Sequence, residues 1–213
     1  MTGADVLAGV CARGIIPVVV LETRERALPL AQALRDGGLP IAEVTFRTPA
    51  AADGVRLLAA EGDIVVGAGT IVRAEQVDVA VEAGARFIVT PGLSRGVVER
   101  CRELSVPVIP GVATATEVIA ALDLGCELLK FFPAEACGGV ATLKALGGPF
   151  PSVRFVPTGG ITAANAGDYL RLRSVVAVGG SWMVAPGLIA ADDYAGVSRL
   201  AAEAVAMAAL VRA

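Results

Sequence analysis

The chain has 213 residues, 55% of them apolar and 18% charged, with a formal net charge of −3 and no histidine. Scattered arginines without a block of like charge leave no footprint for nucleic acid. The missing histidine removes the commonest general base and metal ligand, and Cys11, Cys101, Cys126 and Cys137 are spaced for neither a zinc site nor a disulfide framework.

The elements follow one repeating pattern: a β-branched run, a loop with Gly, Pro or Thr, then an Ala/Leu-rich amphipathic stretch. A short helix is expected around Asp5–Ala12, then a strand over Ile15–Val20 and a helix over Arg24–Asp36. Strand and helix alternate through Ile41–Phe46 and Ala50–Glu61, Ile64–Ala68 and Ala74–Ala83, Arg86–Thr90 and Arg95–Leu104, then Val106–Ile109 and Ala115–Leu124. Strands over Glu127–Phe131, Val153–Pro157 and Val175–Val178 complete the set, with helices over Ala163–Leu172 and from about Asp192 to Val211. Gly37-Gly38, Gly62, Gly84 and Gly125 close helices in the left-handed cap that glycine takes most readily. Eight such units predict an α/β fold, a (β/α)8 TIM barrel with a short N-terminal helix, formed by residues 1–213 as a single domain. A doubly wound open sheet is the alternative. No apolar run reaches the roughly 18 to 20 residues of a spanning helix, and no basic region leads into an apolar segment. A cytoplasmic protein without membrane or nucleic-acid partners is therefore expected.

In a barrel, functional groups gather at the C-terminal ends of the strands. The second strand ends Glu43-Val44-Thr45-Phe46-Arg47, and period-two alternation puts Glu43, Thr45 and Arg47 on the inward face. A packing-only account makes Glu43 and Arg47 a buried ion pair. Lys130, one of only two lysines, sits within Leu128-Leu129-Lys130-Phe131-Phe132-Pro133 and shares its face with Leu128 and Phe132. Burial among apolar neighbours favours the neutral amine, the form that attacks a carbonyl. A lysine whose stem merely covers apolar surface is the alternative. The third strand ends in Gly67-Ala68-Gly69-Thr70, where small residues admit a ligand to the backbone. Thr90-Pro91-Gly92 and Pro110-Gly111 read as rigid turns. Thr158-Gly159-Gly160 and Gly179-Gly180-Ser181 follow the seventh and eighth strands, where barrels often bind phosphate.

With Glu43-Val44-Thr45-Phe46-Arg47-Thr48, Gly67-Ala68-Gly69-Thr70, Lys130-Phe131-Phe132-Pro133-Ala134-Glu135, Pro157-Thr158-Gly159-Gly160-Ile161 and Gly179-Gly180-Ser181-Trp182 in order, nearly the whole chain resembles the 2-keto-3-deoxy-6-phosphogluconate (KDPG) aldolase and 4-hydroxy-2-oxoglutarate aldolase family. The resemblance implies a class I, Schiff-base lyase of the Entner–Doudoroff pathway, a homotrimer without metal or organic cofactor. Lys130 matches the Schiff-base lysine and Glu43 the general acid/base. Arg47 and Thr70 match the groups that hold the pyruvyl carboxylate. Pro91, Phe132 and Thr158 are assigned to the substrate pocket, and Gly159, Gly160, Gly180 and Ser181 to the phosphate. The implied partner is a small 2-keto acid phosphate. Two positions depart from the family pattern: Cys137 stands where asparagine is expected, and Glu22-Thr23 where a basic residue occurs in relatives. Cleavage of 4-hydroxy-2-oxoglutarate, a galactonate-derived substrate, a phosphate-binding isomerase and a non-catalytic phosphosugar-binding barrel are the competing readings.

Overall fold

The computed structural model describes residues 2–212. Its strands are β1 (Ile15–Val19), β2 (Ile41–Thr45), β3 (Val65–Gly69), β4 (Ile88–Val89), β5 (Val108–Ile109), β6 (Gly111–Val112), β7 (Leu128–Phe131), β8 (Arg154–Pro157) and β9 (Val178–Gly180). The helices are α1 (Gly3–Cys11), α2 (Ala27–Asp36), α3 (Ala51–Glu61), α4 (Ala74–Glu82), α5 (Arg95–Glu103), α6 (Ala115–Asp123), α7 (Gly139–Gly147), α8 (Ala166–Leu170), α9 (Pro186–Ala190) and α10 (Tyr194–Arg212).

All strand pairs are parallel, in the order β5-β4-β3-β2-β1-β9 and β6-β7-β8. The two groups meet at Pro110, which has no N–H to give to a ladder. On one side of the break Thr90 N donates to Ile109 O at 3.2 Å, and on the other Lys130 N donates to Pro110 O at 2.8 Å. Single bridges, Phe155 with Val175 and Thr158 with Gly179, join β8 to the chain leading through β9. The result is a parallel sheet curled on itself with helices outside.

Curling separates two cores. Alternate side chains face inward and form a small cluster of Ile16, Ile41, Phe87, Val89, Ile109, Val156 and Ala177. Val6, Val10 and Cys11 of α1 pack into the same cluster, so α1 closes the N-terminal end of the sheet. Thr2 and Asp5 start α1 with a reciprocal capping box. The larger outer core lies between strands and helices and holds Val19, Val44, Val66, Leu129, Phe131 and Phe155. The long apolar helix α10 buries Gly196, Val197, Ala201, Ala204 and Ala208. It runs so close to the end of α2 that a Cβ on Gly37 would lie 2.6 Å from Ala201 Cβ. By length and composition α10 is apolar enough to cross a membrane; in the fold its small residues serve this close packing.

Several expected elements shift. The expected strand Val175–Val178 becomes Val178–Gly180, because Ile16 and Pro17 of β1 pair with Gly179 and Gly180. The strand expected over Val106–Ile109 is split around Pro110 and continues to Val112. Helix α7 follows β7 where no helix was expected, and α9 is a further addition. The first turn of the helix expected from Arg24 is 3-10, and the helix expected over Ala163–Leu172 shortens to Ala166–Leu170.

Candidate active site

Among the described residues the buried polar or charged side chains are Glu43, Thr45, Thr90, Lys130 and Thr158. Thr45, Thr90, Lys130 and Thr158 lie in the C-terminal part of their strands or just beyond them, and Glu43 lies one inward position before Thr45 on β2. A packed core offers no reason for such clustering. The inner face of the sheet is apolar at its base and polar at its mouth.

β7 carries Lys130 inward while Leu129 and Phe131 pack outward with no exposure. β2 carries Glu43 inward, paired in register with Val18 of β1 and Gly67 of β3. The two side chains meet: Lys130 Nζ donates to Glu43 Oε1 at 3.4 Å, with the residues 5% and 2% exposed. Among the described residues this is the one ion pair in which both partners are buried. Burying two charges rarely adds stability over apolar packing, so the pair points to chemistry. The Phe132 ring centroid lies 5.0 Å from Lys130 Nζ, walling the amine with an aromatic face.

Glycines make the room. A Cβ on Gly69 would sit 2.7 Å from Glu43 Cγ and 2.9 Å from Cδ, so β3 leaves a side-chain-sized gap that the carboxylate fills. Gly111, in register with Lys130, lies against the backbone of Pro91. Thr90 pins that turn: its hydroxyl donates to Gly92 O at 2.6 Å and accepts from Gly111 N at 3.1 Å. Gly179 likewise makes room for Thr158, whose hydroxyl would otherwise collide with a Cβ there.

The remaining expected residues lie at the same end. β2 stops at Thr45, so Arg47 leaves the alternation and sits on an exposed turn, contrary to its expected place in line with Glu43. It reaches back through Nε to Thr45 Oγ1 at 3.3 Å, and Thr45 in turn donates to Val19 O at 3.0 Å. The partner of Glu43 is therefore Lys130, not Arg47. Thr70, at the end of β3, has φ of 61°, a left-handed conformation rare for a β-branched residue. Such an outlier costs free energy and collects at ligand sites. Gly159 and Gly160 are left-handed too, with φ of 98° and 79°, and a Cβ on Gly159 would lie 3.2 Å from the Phe132 ring. Gly180 lies against the Trp182 ring, and Ser181 is exposed just before the short 3-10 turn Trp182–Val184. Thr45 lies on the inward face where alternation places it, and it positions Arg47. Thr90, which pins the Pro91 turn, reads from the sequence only as part of a rigid turn, although a hydroxyl at a strand end is the signal that would find it.

The fold and the pair define a class: a parallel α/β protein presenting a buried amine beside a carboxyl at the C-terminal mouth of its sheet. The model of the KDPG and KHG aldolase family matches residues 8–200, and the chain belongs to that family. It is 46% identical over 192 residues to the KHG/KDPG aldolase of Escherichia coli K12, covering 90% of each chain. It is 49% identical over 187 residues to the 2-dehydro-3-deoxy-phosphogluconate aldolase of Treponema pallidum, covering 87% of this chain and 89% of that one. The KDPG aldolase of Legionella pneumophila, solved with pyruvate captured as a covalent carbinolamine, superposes with a TM-score of 0.90 at 41% identity, covering 95% of this chain and 97% of that one. The Zymomonas mobilis ZM4 enzyme with 3-phosphoglycerate gives 0.91 at 41% identity, covering 97% of both chains.

Proposed function

We propose that the protein is a class I aldolase that cleaves KDPG to pyruvate and glyceraldehyde 3-phosphate through a Schiff base on Lys130. The observation that carries this reading is the buried contact of 3.4 Å between Lys130 Nζ and Glu43 Oε1 at the mouth of the sheet.

In this mechanism Glu43, within reach of the amine, first takes a proton from Lys130, which leaves a nucleophile able to attack and an acid able to donate. The amine attacks C2 of the 2-keto acid to give a carbinolamine, and loss of water, with Glu43 supplying the proton, gives the iminium. Glu43, now a carboxylate, takes the proton from the C4 hydroxyl. The C3–C4 electron pair flows into the iminium, releasing the aldehyde and leaving an enamine. Glu43 returns its proton to C3, and water hydrolyses the new iminium to pyruvate and free lysine. One carboxyl serves throughout because the transfers alternate in direction. In this reading Arg47 and Thr70 hold the pyruvyl carboxylate, the guanidinium as a planar fork held to Thr45. Phe132, Pro91 and Thr158 shape the pocket, and the left-handed Gly159-Gly160 turn with Gly180 and Ser181 receives the phosphate on backbone N–H groups.

The same reading counts β5 and β6 as one strand and the sheet as a closed (β/α)8 barrel spanning residues 1–213 as one domain. It makes the protein a cytoplasmic homotrimer of the Entner–Doudoroff pathway, needing no cofactor. A second substrate, 4-hydroxy-2-oxoglutarate, is favoured by one observation: the Escherichia coli relative carries both activities in its name, and the pyruvate half of the site would be common to both. Cleavage of each compound, followed by reduction of the released pyruvate with a coupled dehydrogenase, tests the proposal. Wild type is expected to prefer KDPG, and Lys130→Ala to lose both reactions; turnover by Lys130→Ala would reject the mechanism.

A further inference from the structure

We infer that Tyr169 and Glu135 form a strut that sets the Gly159-Gly160 turn, making them positioning residues for phosphorylated substrates; the inference rests on the proposed assignment of that turn to the phosphate.

Among the described residues Tyr169 of α8 is the largest fully buried side chain. A buried tyrosine hydroxyl needs a partner, and this one donates to Glu135 Oε1. Glu135 lies outside the sheet, five residues beyond Lys130, at an exposed position where no buried charge forces the pairing. Its backbone N–H donates to Gly159 O at 3.1 Å. Its side-chain stem backs Gly160 so closely that a Cβ there would lie 2.6 Å from Glu135 Cγ and 2.7 Å from Cβ. From the other side Asn165 Nδ2 donates to Gly160 O at 3.1 Å. A Cβ on Gly139, which has φ of 61°, would stand 3.2 Å from the Tyr169 hydroxyl and 3.4 Å from Glu135 Oε1, so glycine leaves the flank of the pair open. Among the described residues the Gly160 N–H has no protein acceptor.

A glutamate beside an anion-receiving turn is a hazard. Released, its carboxylate would compete for the Gly160 N–H and repel an incoming phosphate. Tethered to Tyr169, the charge is held at α8 while the stem braces the turn. Burial, reinforced by the carboxylate partner, pushes the Tyr169 hydroxyl pKa upward, so it stays protonated and able to donate. The strut therefore acts on the phosphate end of the substrate and not on the lysine end.

The test measures kcat and KM for KDPG and for 4-hydroxy-2-oxoglutarate, which has no phosphate, in wild type, Tyr169→Phe, Glu135→Ala and Glu135→Gln. Tyr169→Phe is expected to raise KM for KDPG about tenfold with kcat within about twofold, and to leave both constants for 4-hydroxy-2-oxoglutarate within about twofold. Glu135→Ala, which removes no buried side chain, gives the same split. Glu135→Gln, which keeps an acceptor for the hydroxyl, retains a KM near that of wild type. Equal losses on both substrates, or an unchanged KM for KDPG in both Tyr169→Phe and Glu135→Ala, would overturn the strut. A wild-type enzyme with no preference for the phosphorylated substrate would instead overturn the phosphate assignment itself, before any variant is made.

Discussion

Two glycines on one strand separate packing from chemistry. Gly67 and Gly69 both face inward from β3, one layer apart. A Cβ on Gly67 would lie 2.5 Å from Phe87 Cε1 and Cε2, in the apolar base of the sheet. A Cβ on Gly69 would lie 2.7 Å from Glu43 Cγ and 2.9 Å from Cδ. Both methyls overfill a close-packed space, and each substitution to alanine is expected to cost about 1–3 kcal/mol of stability. Their effects on turnover differ. Gly69→Ala must push the Glu43 carboxyl off its contact of 3.4 Å with Lys130 Nζ. Loss of a positioned acid/base is worth about 10²–10⁴-fold in rate, or roughly 3–5 kcal/mol of barrier. Gly67→Ala moves a phenyl ring remote from the reacting atoms and is expected to keep kcat within about threefold of wild type. Urea unfolding gives the stabilities, and pyruvate release at saturating KDPG gives kcat. Equal stabilities and equal kcat values in the two variants would refute the claim that Glu43 acts from the place Gly69 leaves for it.

Other expected outcomes concern the carboxyl, a cap and the thiols. Glu43→Gln keeps the volume but not the base, and is expected to lower kcat by about 10²–10⁴-fold while still folding. Glu117 caps α6: it accepts from Ala113 N, Thr114 N and the Thr114 hydroxyl at 2.8–2.9 Å, and chiefly the Ala113 N–H holds its carboxyl below the usual carboxylate range. Because its folded pKa is lowered, its contribution is present above the unfolded value and is lost as pH falls through the folded one. Glu117→Ala should therefore cost about 1 kcal/mol at pH 7, with the difference from wild type shrinking in acid unfolding curves below about pH 4. Burial pushes the Cys11 thiol up to about 11 and the Cys101 thiol up to about 12, so neither should be alkylated by iodoacetamide at pH 8 without denaturant; labelling on the time scale of a free thiol would contradict their burial.

The alternation of strands and helices was legible because each period leaves its own apolar pattern. The inward placement of Glu43 and Lys130 followed from period two alone. What failed was decided by tertiary pairing. Gly179 and Gly180 are poor strand formers, yet β1 recruits them into a ladder and leaves Val175 and Val176 outside β9. Helix α7 hid behind glycines at both ends, with Gly138 in the left-handed region at its start. Arg47 misled because alternation was extended past Thr45, where the chain turns and Arg47 N donates to Thr45 O at 2.8 Å. The meeting of residues 43 and 130 across 87 positions is a property of the curled sheet, carried by no local signal. Glycines at inward strand positions were read as access for a ligand; their further role is to leave volume for Glu43, Phe87 and Thr158.

The central claim is that the Lys130 amine is the nucleophile. Borohydride reduction in the presence of pyruvate, followed by peptide mass analysis, tests it most directly, because the chain offers only one other lysine, Lys144, on α7. Irreversible inactivation with the reduced pyruvyl adduct on the peptide containing Lys130 is the predicted result. An adduct confined to Lys144, or full activity after reduction with pyruvate, would contradict the account.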